Sequence, residues 1–401
     1  MVKLATAATT SVGVGWSSDQ EGYRAGCQAA QQARQALGVD RIDLAFLFAS
    51  PRLTPDRLLK GIQETLGHVP LIGGTDAGEI CPAGPLQRSA VLLLVTSEDM
   101  HFALGAAQQL SAAPRTAGYA MANQCARTEA KSQRRACLLL ADGLTGAQQE
   151  LILGVQDVLG YSFPLVGCLV GDDLLFRRTY QFFHEEVLSD SVVGVLIAGD
   201  VRLAVSARHG WTAVGQPHRV TRAAHNILYA LDGAPAARVY EQYMGQEELV
   251  RMRGHLWSQA MIAYPLGMSV TGEEELLLRN VVHVGQDGSL TCAGDIHEGS
   301  FMWLMVGTRE SAMDAARLAA RHVRESLQHL AWALVFDSVA RRRLFGRHAD
   351  QELAAIRSEL GAQTPLIGCY TYGEQAPLRA AVHRGRSYLH NETALVIGLG
   401  A

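Results

Sequence analysis

Apolar positions along this chain fall into two kinds of run. Leu44–Ala49, Cys137–Ala141 and Ala333–Phe336 are continuous, without polar alternation, and predict strands buried on both faces. Each is followed by a stretch with helical periodicity. The first has Thr54 at the N-cap position, Pro55 at N1, and Leu58, Leu59, Ile62 and Leu66 on one face. The second opens with Thr145 and Gln148 at capping-box spacing and carries Leu151, Ile152, Val155 and Leu159. The third carries Leu353, Ile356 and Leu360. All three end in Leu-Gly (Leu66-Gly67, Leu159-Gly160, Leu360-Gly361), where glycine accepts the left-handed conformation that stops a helix.

The segments after these helices repeat as well. Val69–Glu79, Phe163–Asp172 and Thr364–Glu374 share a Pro-Leu-Ile/Val-Gly core, the first and third without a gap and the second one residue shorter between its glycines. A further apolar run closes each unit, at Val91–Val95, Val192–Ile197 and Ala394–Ile397. A strand–helix–strand–strand unit therefore occurs three times, and the fold class is α/β, with sheets covered by helices. The middle, from about Val201 to Gln328, reads as mixed α+β. Trp211–Pro217 reads as a loop, Thr221–Leu231 and Ala236–Tyr243 as helices, and Leu276–Val284 and Ser289–Ala293 as a hairpin turned at Asp287-Gly288. Phe301–Val306 is a strand and Thr308–Leu330 a long amphipathic helix.

The repeat glycines permit a sharp exit from a buried strand. The loops they open lie at the carboxyl ends of strands, where open α/β sheets bind ligands. These loops carry Asp76, Glu79, Asp172, Asp173, Tyr370, Tyr372 and Glu374, the candidate ligand-binding residues.

Composition narrows the class. With 401 residues, 48% apolar, and 35 basic against 39 acidic side chains, the chain has ample core and a net charge of −4. No nucleic-acid partner is expected from that balance. Arg134-Arg135 and Arg341-Arg342-Arg343 read as solvated ends of elements. No run reaches the length of a membrane-spanning helix and no targeting segment stands at the N-terminus, so a cytoplasmic protein without membrane insertion is expected. The seven cysteines form no C-x-x-C pair, which argues against a zinc site or a disulfide framework. The chain lacks G-x-S-x-G, a P-loop, H-E-x-x-H and a strand-borne G-x-G-x-x-G, and no enzymatic activity is expected. Cys168 and Cys369 follow the repeat glycine where the first unit has Gly74, which reads as a small-residue packing position rather than a nucleophile.

The order and spacing of several segments resemble the FIST proteins, which carry adjacent FIST N and FIST C domains. The matching segments are Pro70–Glu79, Asp190–Ile197, Thr221–Tyr240, Tyr264-Pro265-Leu266, Asp287-Gly288-Ser289, Gly294-Asp295-Ile296, Glu298-Gly299 and Gly368–Glu374. The resemblance implies a lead-in over 1–26, a FIST N-like domain over 27–218 and a FIST C-like domain over 219–401, with the boundary near His218. It implies an intracellular small-ligand sensor whose signal passes to a histidine kinase or a cyclic-di-GMP enzyme. No output domain is attached here, so that partner is expected to be a separate protein.

Single-chain length and Gly171-Asp172-Asp173-Leu174, followed by Thr179–His184, look like a haem-binding, nitric-oxide-sensing branch. On that reading haem b is the cofactor, and its iron needs an axial imidazole or thiolate in an apolar pocket. His184, after Tyr180-Gln181-Phe182-Phe183, is the first candidate for the iron, followed by His225, His297, His283 and Cys81 of Cys81-Pro82. The alternative is a haem-free sensor of an amino acid or similar metabolite, with the loop carboxylates meeting an ammonium group and Arg279 or backbone N–H groups meeting a carboxylate. Arg279 also reads as a surface ion pair. A third alternative is an interaction scaffold without ligand.

Overall fold

The computed structural model describes residues 10–128, 131–146, 148–254, 259–378 and 386–400; residues 1–9 of the expected lead-in lie outside them. The first unit runs β1 (Thr10–Ser17), α1 (Gly22–Leu37), β2 (Leu44–Ala49), α2 (Pro55–Leu66), β3 (Leu71–Thr75), β4 (Glu79–Cys81), β5 (Gly84–Pro85) and β6 (Ala90–Ser97). The second runs β7 (Met100–Gln108), α3 (Pro114–Ala126), β8 (Arg134–Asp142), α4 (Gln148–Leu159), β9 (Leu165–Val170), β10 (Gln181–Phe183), β11 (Glu186–Leu188) and β12 (Ser191–Gly199). The third opens with β13 (Arg202–Arg208) and is interrupted by an insert. The insert comprises β14 (Thr212–Ala224), β15 (Ile227–Leu231), β16 (Ala234–Pro235), α5 (Arg238–Met244), α6 (Gln246–Gly254), α7 (Gln259–Ala263), β17 (Leu266–Met268), β18 (Leu277–Arg279), β19 (Val281–Val284), β20 (Leu290–Cys292) and β21 (Phe301–Val306). The unit then resumes with α8 (Arg309–Ser326), β22 (Leu330–Ser338), α9 (Val339–Phe345), α10 (Ala349–Leu360), β23 (Leu366–Thr371), β24 (Gly373–Pro377), β25 (Ser387–His390) and β26 (Ala394–Gly400).

Each unit builds four strands of its own sheet in the same order: β1-β6-β2-β3, β7-β12-β8-β9 and β13-β26-β22-β23. In each, the last pair is parallel (β2–β3, β8–β9, β22–β23) and the other two are antiparallel. The two short strands after each glycine loop leave for a neighbour. β4-β5 of the first unit extends the third sheet, β24-β25 of the third extends the second, and β10-β11 of the second extends the first. This cyclic exchange ties the three units into one body and caps the edge at β3, β9 and β23 that would otherwise stay open.

Alternate side chains of the continuous strands divide between two layers. Leu44, Phe46 and Phe48 face a core shared by all three sheets, where Phe46 meets Trp332 at 5.7 Å and Phe48 meets Phe336 at 5.6 Å between ring centroids. Ala45, Leu47 and Ala49 face α1 and α2. The helix-ending glycines adopt positive φ (76° at Gly67, 99° at Gly160, 100° at Gly361), as the Leu-Gly signals predict. Thr54 stands at the N-cap of α2, but its side chain makes no cap hydrogen bond, and Pro55 alone marks the start.

Two expectations are corrected. The glycine of the Pro-Leu-Ile/Val-Gly core does not serve a sharp exit. Gly73, Gly167 and Gly368 lie within their strands, and a Cβ there would sit 2.0, 2.0 and 1.8 Å from the carbonyl oxygens of Leu47, Leu139 and Val335 on the parallel neighbour. Close strand approach, not turning, requires them. In the insert, Trp211–Pro217 is not a loop and Thr221–Leu231 not a helix. β14 and β15 form a hairpin that turns at His225 (φ 52°), where Ala223 pairs with Leu228 and Ala224 with Ile227. His218 falls inside β14.

Candidate functional site

The three glycine loops meet where the units exchange strands. Ala77 N–H donates to Tyr370 O (3.0 Å) and Tyr370 N–H to Gly78 O (2.7 Å); Gly171 N–H donates to Thr75 O (3.0 Å) and Asp173 N–H to Asp76 O (2.8 Å); Tyr372 N–H donates to Leu169 O (2.9 Å). Each loop thus hydrogen-bonds to both others. Six of the seven candidate loop residues, Asp76, Glu79, Asp172, Tyr370, Tyr372 and Glu374, are brought together here and buried, and only Asp173 reaches a cleft.

Their side chains hold the junction. Asp172 accepts from the backbone of Phe176 (2.9 Å), Arg177 (2.7 Å) and Arg178 (3.0 Å) and from the Tyr372 hydroxyl (2.5 Å). That pins a loop in which Asp173, Leu174 and Phe176 all have positive φ. Glu374 accepts from Thr371 Oγ1 (2.6 Å) and Thr393 N–H (3.2 Å), and burial pushes its carboxyl up to about 8. Asp76 accepts from Gly78 N–H and Glu79 from Ser89 Oγ, leaving Asp76 Oδ2 and Glu79 Oε1 without donors. Burial, reinforced by the Glu79 charge, raises Asp76 well above the carboxylate range, and burial raises Glu79 as well.

Beside this junction, α9 departs from the expectation of a solvated arginine cluster. Arg341 is fully buried. It pairs with Asp337 (3.1 Å) and Glu352, and donates to the carbonyls of His209 (2.6 Å), Ala312 (2.7 Å) and Glu392 (3.2 Å). Arg279 is likewise not a surface ion pair. It is buried and donates to the carbonyls of Asp295, Leu278 and Leu389.

The haem-ligand candidates are dispersed. His184 is exposed at the β10–β11 turn, edge-on to Phe183. His225 is exposed at the β14–β15 turn, and His283 and His297 are exposed on the insert. Cys81 is buried in β4, its Sγ 3.6 Å from Gly84 O and its thiol pushed up by burial. Among the described residues no group of three His, Cys, Asp or Glu side chains is arranged to hold a metal ion. Cys168 and Cys369 are buried at equivalent places, and a Cβ on their counterpart Gly74 would lie 2.4 Å from Val170 Cγ1.

A cavity of about 660 Å³ opens elsewhere, between β13, the end of β24, β25 and the insert. Arg135, Arg202, Ser206, His209, Glu273, Glu275, His322, Ser326, His390 and Thr393 supply its polar wall, and Val201, Leu203, Val205, Leu276 and Leu378 much of its apolar one. Trp211 N–H donates to His209 Nδ1 (2.9 Å), which leaves the ring proton on Nε2. Nε2 is buried beside the Leu276 backbone and lies 3.6 Å from Glu275 Oε1. Burial lowers His209 to about 3 and His390 to about 4, so both are neutral donors, His390 through Nε2 to Ala376 O (3.1 Å). Burial raises Glu275, and Arg208, 4.0 Å away, opposes that rise. The arrangement offers an N–H donor beside a carboxylate in a partly apolar space. Sequence reasoning missed these residues. The available signal was the opening strand of the other two units, which predicts β13 ahead of α8 once the insert is set aside.

Profiles of the FIST N domain and the FIST C domain match residues 43–234 and 236–377. The chain belongs to the FIST family, whose domains have a sensory, signal-transduction role and bind small ligands. The junction of the two profiles falls at β16, inside the insert, so the profile boundary and the structural units do not coincide. Uncharacterized proteins from two strains of Mycobacterium tuberculosis are 27% identical over 397 residues, 96% of this chain and 98% of theirs. An uncharacterized protein of Methanocaldococcus jannaschii is 28% identical over 170 residues, 40% of this chain, and the match spans about a third (32%) of that relative. A cyanuric acid hydrolase from A. caulinodans aligns over 98% of this chain and 99% of its own, at TM-score 0.35 and 9% identity. Among the described residues, no helix is long and apolar enough to cross a membrane.

Proposed function

We propose that this protein is a haem-free sensor of a small zwitterionic metabolite, of the amino-acid class, which binds in the cavity between β13 and the insert and signals through a separate partner such as a histidine kinase or a cyclic-di-GMP enzyme. The observation that carries this is the neutral, buried His209 ring, whose Nε2–H stands 3.6 Å from the Glu275 carboxylate, a donor and an acidic group side by side on the cavity wall. A ligand carboxylate can accept from His209 while a ligand ammonium donates to Glu275 and Glu273. The cavity is walled by the insert on one side and the repeated core on the other, so a ligand that fits only one spacing of the two shifts their balance. The haem reading finds no such support, because none of His184, His225, His283, His297 and Cys81 lines this cavity.

Isothermal titration of the full chain against the amino acids tests the proposal. One or a few are expected to bind at about 1–100 µM, a range that corresponds to roughly 5.5–8 kcal/mol. Flat traces for all of them overturn the ligand class. A Soret band that moves with nitric oxide, in protein made with adequate haem, overturns the haem-free reading.

A further inference from the structure

A second cleft, of about 460 Å³, lies over the carboxyl ends of β2, β3, β9 and β22. Four arginines line it, Arg52, Arg88, Arg342 and Arg343, with Asp173 as its single carboxylate. In a chain whose net charge is −4, this is a concentrated local reversal of sign. Arg52 and Arg88 come from the first unit, Asp173 from the second, and Arg342 and Arg343 from the third, so the cleft exists only because the three loops meet.

Arg342 is fixed before any ligand arrives. It donates to Ala77 O and to Leu86 O (3.4 Å), and its guanidinium carbon lies 4.9 Å above the Tyr370 ring. Gly78 makes room for it: φ there is 130°, and a Cβ would lie 1.9 Å from Arg342 Nη1. Two of the five guanidinium N–H groups meet those carbonyls, and three remain. Asp173 is occupied by Arg52 (3.3 Å) and Ser50 Oγ (2.7 Å). A held guanidinium loses little side-chain entropy on binding, and planar forks suit phosphate and carboxylate oxygens.

We propose that this cleft binds a compact, multiply charged anion, presenting either a phosphoryl group or two or more carboxylates, and that the anion bridges the three repeat units. The site is separate from the metabolite cavity and does not depend on the function proposed for it.

The test is isothermal titration of the full chain at low ionic strength with pyrophosphate and with citrate, against acetate as a singly charged control. At least one multiply charged anion is expected to bind and acetate is not; which of the two binds separates the phosphoryl from the polycarboxylate class. In R88Q/R343Q, whose side chains are exposed, affinity is expected to fall by about tenfold or more, as losing two charge-assisted contacts implies. R342Q is expected to bind more weakly still. R238Q, at an exposed arginine outside the cleft, is expected to bind like the wild type. Absence of heat from both anions overturns the proposal, as does unchanged affinity in R88Q/R343Q with unchanged circular dichroism. That double variant keeps the test decisive should R342Q fail to fold.

Discussion

The junction of the three glycine loops and the cavity beside β13 are built from the same kinds of side chain, carboxylates, hydroxyls and a few nitrogen donors, and use them differently. At the junction, Asp172 accepts from three backbone N–H groups and a tyrosine, and Glu374 from a threonine and a backbone amide. These acids have their partners within the chain and act as fasteners. In the cavity, His209 Nε2 and Glu275 Oε1 stand 3.6 Å apart, too far for a strong hydrogen bond, on the wall of an open space. Residue type does not decide between scaffold and ligand contact. The decisive question is whether the side chain faces the packed interior or a cavity.

The largest test of this contrast is Arg341→Met. The change removes the cation facing Asp337 and Glu352 and leaves both acids and three carbonyls in the core without it. Breaking a buried pair from one side costs about 3–5 kcal/mol, readable as a drop in the urea midpoint; a loss under about 1 kcal/mol would mean that the network is not a fastener. Glu374→Gln comes next and depends on pH. The folded carboxyl titrates near 8 and an unfolded glutamate near 4.5, so the folded state binds the extra proton between those values. Wild-type stability from this group is therefore fully present below pH 4.5 and is lost as pH rises towards 8. The amide mimics the protonated form, with Thr371 reversing its hydroxyl to accept. Between about pH 4.5 and 7 the variant is expected to gain on the wild type by on the order of 3 kcal/mol. Parallel stability curves against pH would show that Glu374 is ionised in the fold.

Much of the core was legible in the sequence because burial on both faces leaves an unmistakable apolar run. β2 and the interiors of β8, β22, β6, β12 and β26 stand where those runs predict, and so do α2, α4 and α10. The repeat singled out Asp76, Asp172 and Glu374 as ligand-binding candidates; the structure buries them where the three loops meet. What the sequence did not reveal was long-range. β4, β10 and β24 each leave for another unit, and two- to five-residue strands carry no periodicity that names their partner. The β14–β15 hairpin turns at His225-Asn226, which lacks the glycine that usually announces a two-residue turn. Arg341 looked solvated because a basic triplet usually is, and only its tertiary partners show otherwise. His209 and Glu275 are 66 positions apart and share no motif.

Asp172→Ala probes the junction at a smaller scale. It strips the acceptor from three N–H groups in a loop already carrying three left-handed non-glycine residues. A loss of about 2 kcal/mol is expected, together with new proteolytic cleavage at Arg177 or Arg178; an uncleaved loop would show that Tyr372 and the backbone hold it alone. Glu275→Gln is expected to have the smallest effect on stability and the clearest on function. Its ion pair with Arg208 is long (4.0 Å) and its contact with the neutral His209 ring is 3.6 Å, so their loss costs under about 1 kcal/mol. The amide oxygen can still face His209 Nε2–H, so the cavity keeps its shape. What disappears is the negative charge that the ligand ammonium needs, and affinity for the metabolite is expected to fall by about tenfold or more, since each 1.4 kcal/mol is tenfold. The same variant leaves the arginine cleft untouched, so pyrophosphate or citrate binding should persist. If instead stability falls by several kcal/mol and metabolite binding is unchanged, Glu275 belongs with the fasteners, and the line drawn between junction and cavity is in the wrong place.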